Sequence, residues 1–336
     1  MKANQKNYDN IAISSRIRLA RNLEEFAFPP KMQEDERKQV IAKVRAALCA
    51  EKGTSGLQYL SVDAMTPEDR QVLVEKHLIS PDLAMSKRDC GVALSQDEKT
   101  SIMVNEEDHL RIQYIDKGLA LREAYAECDK VDRKMEQKAE YAFMLPYGYL
   151  TACPSNVGTG MRVSVMLHLP MLVKTKNIGG ILDAVGKLGI TTRGIYGENT
   201  EAAGNMFQLS NRISLGNSEE ELINLVEDVA VQVMEKEKQV RMDVYKNNAK
   251  HLEDKIWRSY GIFTNARLMS SNEALNHLSD IRLGMDLHIL PHITREQIDE
   301  LSVLIQSGMI AKMHGPDLPE AERDAVRAEL IREKGI

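Results

Sequence analysis

The chain is poor in cysteine, and this scarcity excludes two kinds of cross-linked scaffold. Only four cysteines occur in 336 residues. They lie far apart and form no C-x-x-C pair, at Cys49, Cys90, Cys128 and Cys153. A disulfide framework and a structural zinc site both need more closely spaced cysteines, so we expect neither. We therefore predict that all four thiols are free.

Long apolar runs and an excess of positive charge are also missing. No window approaches ~18 consecutive apolar residues, and no basic stretch precedes an apolar run near residue 1, so we expect neither a membrane span nor a signal peptide. The net charge of -6 and the pI near 5.8 argue against binding to nucleic acid. These properties predict a cytoplasmic protein.

Two common nucleotide-binding signatures are absent as well. The chain contains no G-x-x-x-x-G-K-[ST] sequence, and it lacks the H-R-D and D-F-G pair of ordinary protein kinases. Any nucleotide chemistry must therefore use another scaffold.

The pattern of apolar residues predicts two domains, as the length of 336 residues also suggests. From residue 10 to about 215, strand-like runs come in pairs between helical stretches. This pattern favours an α/β (α+β) fold with a mostly antiparallel sheet flanked by helices. After it, Asn217 or Ser218 caps a long helix whose apolar face is marked by Leu222, Val226, Val229 and Val233. We predict a larger domain over residues 1–244 and a smaller α-helical domain over residues 245–336.

Three segments carry residues suited to phosphate chemistry. Residues 105–111 (NEEDHLR) set three acids, a histidine and an arginine at the end of an apolar run. Residues 153–162 (CPSNVGTGMR) form a turn-rich loop, and residues 14–21 (SSRIRLAR) alternate arginine with apolar residues. Together these segments resemble the phosphagen (guanidino) kinase family. The resemblance implies that residues 1–244 are a catalytic domain of that family.

Five arginines match the positions that surround the nucleotide phosphates in that family, namely Arg16, Arg18, Arg111, Arg162 and Arg193. Arginine suits the dispersed charge of ATP with Mg²⁺, since its planar fork binds phosphate bidentately and keeps its own charge. The resemblance implies that Ser14, Ser15 and His77 also contact the nucleotide. Taken alone, Arg16 and Arg18 could instead be the solvated face of an edge strand. Arg21 is left unassigned.

The acceptor side of the site is predicted from carboxylates. A guanidinium nitrogen is a poor nucleophile, so the site must hold it against acids and remove a proton. The resemblance implies catalytic roles for Glu107 and Glu198, with Cys153 as a supporting reactive cysteine. No set of protein metal ligands is predicted, because ATP would hold most of the Mg²⁺, with Glu106 reaching it through a water. The alternative for Glu106 and Asp108 is a solvated strand end.

The chain departs from the small-molecule members of the family near both ends. Those members carry a helical domain before the S-S-R-x-R strand, whereas 13 residues precede Ser14 here. We therefore expect an acceptor pocket that is open on one side. Near the other end, Arg323, Asp324 and Arg327 resemble the R-D-x-x-R-A motif of bacterial protein-arginine kinases of the McsB type. The motif implies an allosteric phosphoarginine site on a helix over residues 320–334, the alternative being an exposed helix with surface ion pairs.

These resemblances imply an ATP-dependent protein-arginine kinase that marks proteins for regulation or for degradation by the Clp protease. The implied partners are protein substrates with exposed arginine, a zinc-binding activator protein, a stress-gene repressor and the Clp protease, and a homodimer is expected. One alternative is a kinase of a free guanidino metabolite. Another is an adaptor that binds phosphoarginine without catalysis, against which the intact Glu107, Glu198 and five arginines argue.

Overall fold

The computed structural model describes residues 10–49, 56–194 and 203–335. Glu198, one of the two predicted catalytic glutamates, lies outside these ranges. No helix within them is long and apolar enough to cross a membrane.

An eight-stranded antiparallel sheet is the centre of the fold. Ten strands occur in the described ranges, and eight of them belong to this sheet. The ten are β1 (Ala12–Arg21), β2 (Gln58–Ser61), β3 (Gly91–Leu94), β4 (Thr100–Val104), β5 (Leu110–Lys117), β6 (Phe143–Met144), β7 (Gly148–Tyr149), β8 (Met161–His168), β9 (Ile190–Gly194) and β10 (Met206–Asn211). Their order across the sheet is β2-β3-β4-β5-β1-β8-β10-β9, while β6 and β7 form a separate hairpin. The predicted antiparallel sheet is thus confirmed.

Eleven α-helices are seen in the described ranges. They are α1 (Glu34–Leu48), α2 (Pro67–Glu75), α3 (Pro81–Met85), α4 (Leu121–Glu136), α5 (Pro170–Lys174), α6 (Ile178–Lys187), α7 (Glu219–Asn265), α8 (Ser271–Asp286), α9 (Arg295–Leu304), α10 (Ser307–His314) and α11 (Glu320–Lys334). Ser218, rather than Asn217, caps α7, because its side chain accepts from the backbone N–H of Glu221, whose carboxylate binds back.

The two faces of the sheet differ in chemistry because successive side chains of a strand point to opposite sides. One face is apolar and fully buried, with residues such as Ile17, Leu19, Ile112 and Val163. Helices α4 and α7 pack on this face. The other face carries the alternate positions of the same strands, among them Arg16 and Arg18. Helices α2 and α3 pack on this second face over β3 and β4, where Val92 and Met103 contact Leu73 and Leu83. The part of the face that carries the arginines of β1 is left for a binding site.

The C-terminal helices share the core of the sheet domain. Helix α7 runs for 47 residues, passes Gly261 without a break and bends at Asn248, whose backbone is non-helical. Buried Arg241 of α7 binds Glu237 and Asp286 at 2.8 Å each and also donates to the backbone oxygen of His168 at 3.0 Å. This buried network joins α7 and α8 to the end of β8.

Candidate active site

Strand register places four of the predicted phosphate-binding arginines on the polar face of the sheet. Arg18 of β1 lies directly opposite Arg162 of β8. On the other side of β1, Ala20 lies opposite Arg111 of β5. Directly opposed residues project to the same side, as do residues two apart on one strand, so Arg16 joins this set. The alternation of arginine with apolar residues in the sequence thus places Arg16 and Arg18 on the same face of the sheet.

The fifth arginine is brought to the same face by β9. Arg193 lies opposite Gln208 of β10, and the Gln208 side chain accepts a hydrogen bond of 2.7 Å from Nη2 of Arg16. A cleft of about 280 Å³ lies over this face. Its walls include Arg18, Ala20, Glu107, Arg111, Cys153, Ser155, Asn156, Gly160, Arg162 and Arg193.

The arginines create an excess of positive charge that is only partly balanced. Burial lowers the pKa of Arg16 to about 10, and repulsion from Arg162, Arg111 and Arg193 adds to this. Burial also lowers the pKa of Arg18 well below its usual range, with further repulsion from the other arginines. Since a guanidinium stays protonated in proteins, these shifts reflect the cost of burying several like charges close together, and a bound polyanion would offset that cost. Nε of Arg18 is buried and has no hydrogen-bond partner among the described residues.

The two adjacent glutamates after β4 have different surroundings. The Glu106 side chain is 6% exposed, binds Nη1 of Arg111 at 2.7 Å and accepts a short hydrogen bond from Ser80. The Glu107 side chain is 42% exposed, faces the cleft and lies 3.1 Å from Nη2 of Arg111. Partial burial raises the pKa of Glu107, Arg111 opposes the rise, and the charges of Asp108 and Glu106 add to it. Glu107 is therefore the accessible carboxylate with increased basicity.

Asp108 and His109 fix the loop that carries Glu107. Asp108 Oδ1 accepts from the Asn22 side chain at 2.6 Å and from the Ala152 backbone at 2.7 Å. Nδ1 of His109 accepts from the Leu23 backbone at 2.9 Å, and Nε2 lies 2.9 Å from the oxygen of Ala27. Both side chains are buried. Instead of forming a solvated strand end, Asp108 holds the Glu107 loop against the loop that bears Cys153.

Cys153 belongs to the wall of the cleft formed by the loop at residues 153–160, and its Sγ is 3.0 Å from Oγ of Ser155. This wall approaches the sheet closely at Gly160. Gly160 has a φ of +65°, and a Cβ there would lie 2.5 Å from the backbone oxygen of Ala20. Only glycine fits this conformation and this approach without strain.

Arg21, which was left unassigned, positions this wall from the other face of the sheet. It is buried and binds Asp132 of α4 through Nε at 3.1 Å and Nη2 at 2.7 Å. Nη1 donates to the backbone oxygen of Thr159 at 2.9 Å, and the guanidinium lies 3.6 Å from the ring centre of Tyr149. Its spacing of three residues from Arg18, an odd number on a strand, was the available signal that it faces away from the cleft.

Three other residues predicted to bind the nucleotide lie outside the walls of the cleft. Ser15 is fully buried on the apolar side, where its hydroxyl donates to the oxygen of Gly118 at 2.8 Å and accepts from Ala120 at 2.9 Å. The Ser15 hydroxyl therefore fixes the start of α4, and its contact with the nucleotide stays a prediction. Ser14 alternates with Arg16 on the arginine side. His77 is exposed just after α2.

Helix α11 has the predicted bounds, but Arg327 is not positioned as a surface phosphate ligand. Its side chain is 2% exposed, and it donates to the oxygens of Ile305 at 2.7 Å and Met269 at 2.8 Å and to Asp324 Oδ1 at 2.6 Å. Arg323, four residues earlier, is only half-buried. The guanidinium of Arg327 is thus bound by protein oxygens, and the expected convergence of two guanidinium forks on one phosphate stays a prediction. Arg327 links α11 to the ends of two other helical segments.

In the described ranges, no group of three or more His, Cys, Asp or Glu side chains could hold a metal ion. Glu106, the predicted contact through water, is bound by Arg111 and Ser80. Glu106 thus has two protein partners at the position where the resemblance implied a contact with Mg²⁺ through a water.

Comparison with known proteins identifies two family matches that together span most of the chain. Residues 39–240 match the ATP:guanido phosphotransferase C-terminal catalytic domain, and residues 249–335 match the C-terminal domain of protein-arginine kinase McsB. Asn248, where α7 bends, lies between the two matches.

Individual relatives agree with these matches. The protein-arginine kinase of Pelotomaculum thermopropionicum is 46% identical over 96% of this chain and 91% of its own length. The protein-arginine kinase of Bacillus cereus is 46% identical over 97% of this chain and 92% of its own length. Among solved structures, a lombricine kinase has a TM-score of 0.61 at 27% identity, covering 70% of this chain and 68% of its own. A duplicated taurocyamine kinase from Schistosoma mansoni, with bound components of a transition-state analogue, has a TM-score of 0.63 at 25% identity, covering 89% and 41%.

Proposed function

Because the chain belongs to the ATP:guanido phosphotransferase family, and within it to the protein-arginine kinases, we propose that it transfers the γ-phosphoryl group of ATP to arginine side chains of proteins. The observation that carries the proposal is the cleft itself, in which four arginines and the accessible Glu107 face one space. The arginines supply the charge that a nucleotide donor requires. Glu107 supplies the carboxylate that a guanidinium acceptor requires.

The donor is ATP with Mg²⁺, bound as a complex against the arginine face. Transfer of a phosphoryl group depends mainly on positioning and on stabilising negative charge. Arg18, Arg111, Arg162 and Arg193 provide guanidinium groups from four different strands, so their relative positions are set by the sheet. Arg16, held by Gln208, extends the positive surface behind them. Relief of their mutual repulsion contributes to the binding of the polyanion.

The acceptor guanidinium lies between the phosphoryl group and Glu107. One guanidinium nitrogen attacks the γ-phosphorus, and a P–N bond forms as the bond to the β,γ-bridging oxygen breaks and ADP leaves. The proton lost by that nitrogen passes to Glu107, whose raised pKa makes it a better base than an ordinary glutamate. Cys153 on the facing wall supports the guanidinium, and Glu198 supplies a second carboxylate.

The size of the acceptor distinguishes a protein-arginine kinase from a kinase of a free guanidino metabolite. A protein-arginine kinase should phosphorylate arginine within polypeptides more efficiently than the free amino acid, whereas a metabolite kinase should do the reverse. Labelled ATP, offered with an unfolded protein or with free arginine at the same arginine concentration, tests this directly. Acid-labile label on the protein is the expected result, and turnover of free arginine alone would contradict the proposal.

We also infer a cellular setting from the same kinship. The proposed partners are a zinc-binding activator protein, a stress-gene repressor and the Clp protease, and the proposed setting is the cytoplasm, with the chain acting as a homodimer. The phosphoarginine site on α11 stays a proposal in modified form. It rests on the half-buried Arg323 and on Asp324, whose Oδ1 accepts a hydrogen bond from Nη1 of Arg327.

A further inference from the structure

An exposed apolar surface lies beside the arginine cleft, outside the residues discussed so far. The β6–β7 hairpin presents Phe143, Met144, Leu145 and Tyr147 to solvent, and the segment after β10 presents Ile213 and Leu215. These six side chains are between 46% and 82% exposed, with Leu145 the most exposed. We call them the hairpin surface. Contiguous exposed apolar groups of this kind mark interaction sites on soluble proteins.

The two parts of the hairpin surface are joined through the wall of the cleft. A Cβ on Gly148 would lie 2.5 Å from the oxygen of Gly158, and a Cβ on Gly158 would lie 2.8 Å from the Cα of Leu215. On the same side, the Ser214 hydroxyl donates to the oxygen of Val157 at 2.9 Å. The hairpin, the cleft wall and the segment after β10 are therefore packed backbone against backbone. The surface continues directly from the rim of the cleft.

The hairpin is also fixed relative to the proposed catalytic base. Asp108, next to Glu107, accepts from the backbone N–H of Ala152 at 2.7 Å. The Asn22 side chain bridges Asp108 at 2.6 Å and the oxygen of Leu150 at 3.1 Å. Both backbone groups lie just after β7. An occupant of the hairpin surface would thus be held at a constant position with respect to Glu107.

The length of an arginine side chain determines which part of a substrate meets this surface. When the guanidinium is in the cleft, the substrate backbone must cross the rim. Each further residue of extended chain adds about 3.3 Å, so residues two to four positions away reach about 7 to 13 Å along the surface.

We propose that the hairpin surface binds apolar side chains that flank the acceptor arginine in a polypeptide substrate, and thereby selects arginines in apolar contexts. This inference rests on the proposed function and specifies its substrate. A polypeptide is the occupant that fits, because the surface is continuous with the place where the acceptor must enter. A second copy of this chain seated there would cover the rim of the cleft.

Two synthetic peptides of equal length and charge, each with one arginine, test the proposal. One carries leucine and phenylalanine within four residues on both sides of the arginine, and the other carries serine at those positions. The peptide Kd by fluorescence anisotropy and the kcat/KM for phosphorylation are measured for the wild type, for Leu145→Ser and for Leu188→Ser. Leu188 is a matched control, an exposed leucine at the end of α6 that lies outside the hairpin surface.

The wild type should bind the apolar peptide more tightly, and Leu145→Ser should reduce that preference by about tenfold, the order expected for removing a partly buried leucine contact. Its kcat/KM for the serine peptide and its KM for ATP should not change, and Leu188→Ser should behave like the wild type. Equal Kd values for the two peptides in the wild type would overturn the proposal, as would an equal effect of Leu188→Ser. A loss of dimers in Leu145→Ser with no change in preference would instead assign the surface to a second copy of this chain.

The binding measurement separates this proposal from the proposed function. If neither peptide is phosphorylated on arginine but the difference in Kd is present, the result contradicts the proposed kinase activity and supports peptide binding by the hairpin surface. If both peptides are phosphorylated with equal kcat/KM and bound with equal Kd, the result contradicts peptide selection by the hairpin surface and supports the proposed kinase activity.

Discussion

Replacing Arg327 with alanine should destabilise the C-terminal helices rather than remove a ligand contact. The side chain is 2% exposed, and it donates to Ile305, Met269 and Asp324 at distances of 2.6 to 2.8 Å. The substitution leaves two backbone oxygens and a carboxylate without their donor and opens a cavity. Breaking a buried charged network in this way costs about 3 to 5 kcal/mol of the free energy of unfolding. That is a large part of a typical total of about 5 to 15 kcal/mol.

Urea unfolding followed by far-UV circular dichroism measures this loss. Arg323→Ala is the matched control on the same helix, since it removes the same group from a half-buried position, and its cost should stay below about 1 kcal/mol. The reasoning would be refuted if Arg327→Ala cost less than about 1 kcal/mol and at the same time abolished stimulation by phosphoarginine. In that case Arg327 would be a ligand residue, as the R-D-x-x-R-A resemblance first implied.

Three further predictions concern the proposed phosphoryl transfer. Arg162→Ala and Arg193→Ala should each lower kcat by about 10² or more while weakening ATP binding less; calorimetry with an ATP analogue beside steady-state rates checks this, and equal losses would indicate uniform binding. Glu198→Gln should slow phosphorylation of arginine, and an effect confined to ATP affinity would contradict its role at the acceptor. Glu107 must be ionised to accept a proton, so its raised pKa should move the acidic limb of the kcat/KM profile above the ordinary glutamate value, and a profile without this limb would argue against Glu107 as the base.

The arginines on the polar face of the sheet show how much of the candidate site the sequence predicts. The alternation of Arg16 and Arg18 with apolar residues predicts that both lie on one side of a strand, and the register of β1 confirms it. Arg193 is different, because β9 is only five residues long and its sequence shows no such alternation. Its place depended on the family resemblance. Strand pairing across distant segments then brought the arginines together, and a local pattern does not encode such pairing.

Burial of charged side chains was the main feature that the sequence did not reveal. Arg21 and Arg327 have the charge of surface residues, yet each is buried against partners that are distant in sequence. Asp132 lies 111 positions from Arg21, and Met269 lies 58 positions from Arg327. Backbone oxygens that accept these guanidinium groups leave no signature in the amino-acid sequence. Only the fold shows that these arginines position the cleft wall and the C-terminal helices.

The most direct test of the central claim is the phosphorylation of a protein by wild type and by Glu107→Gln, with phosphoarginine mapped by mass spectrometry and ATP binding measured in parallel. Glutamine keeps the shape of the side chain but cannot accept the proton, so the rate should fall by about 10² to 10⁴. Affinity for ATP should stay close to the wild-type value, since the arginines hold the donor. Phosphoarginine formed by the variant at the wild-type rate would contradict the account, and so would its complete absence with the wild-type enzyme.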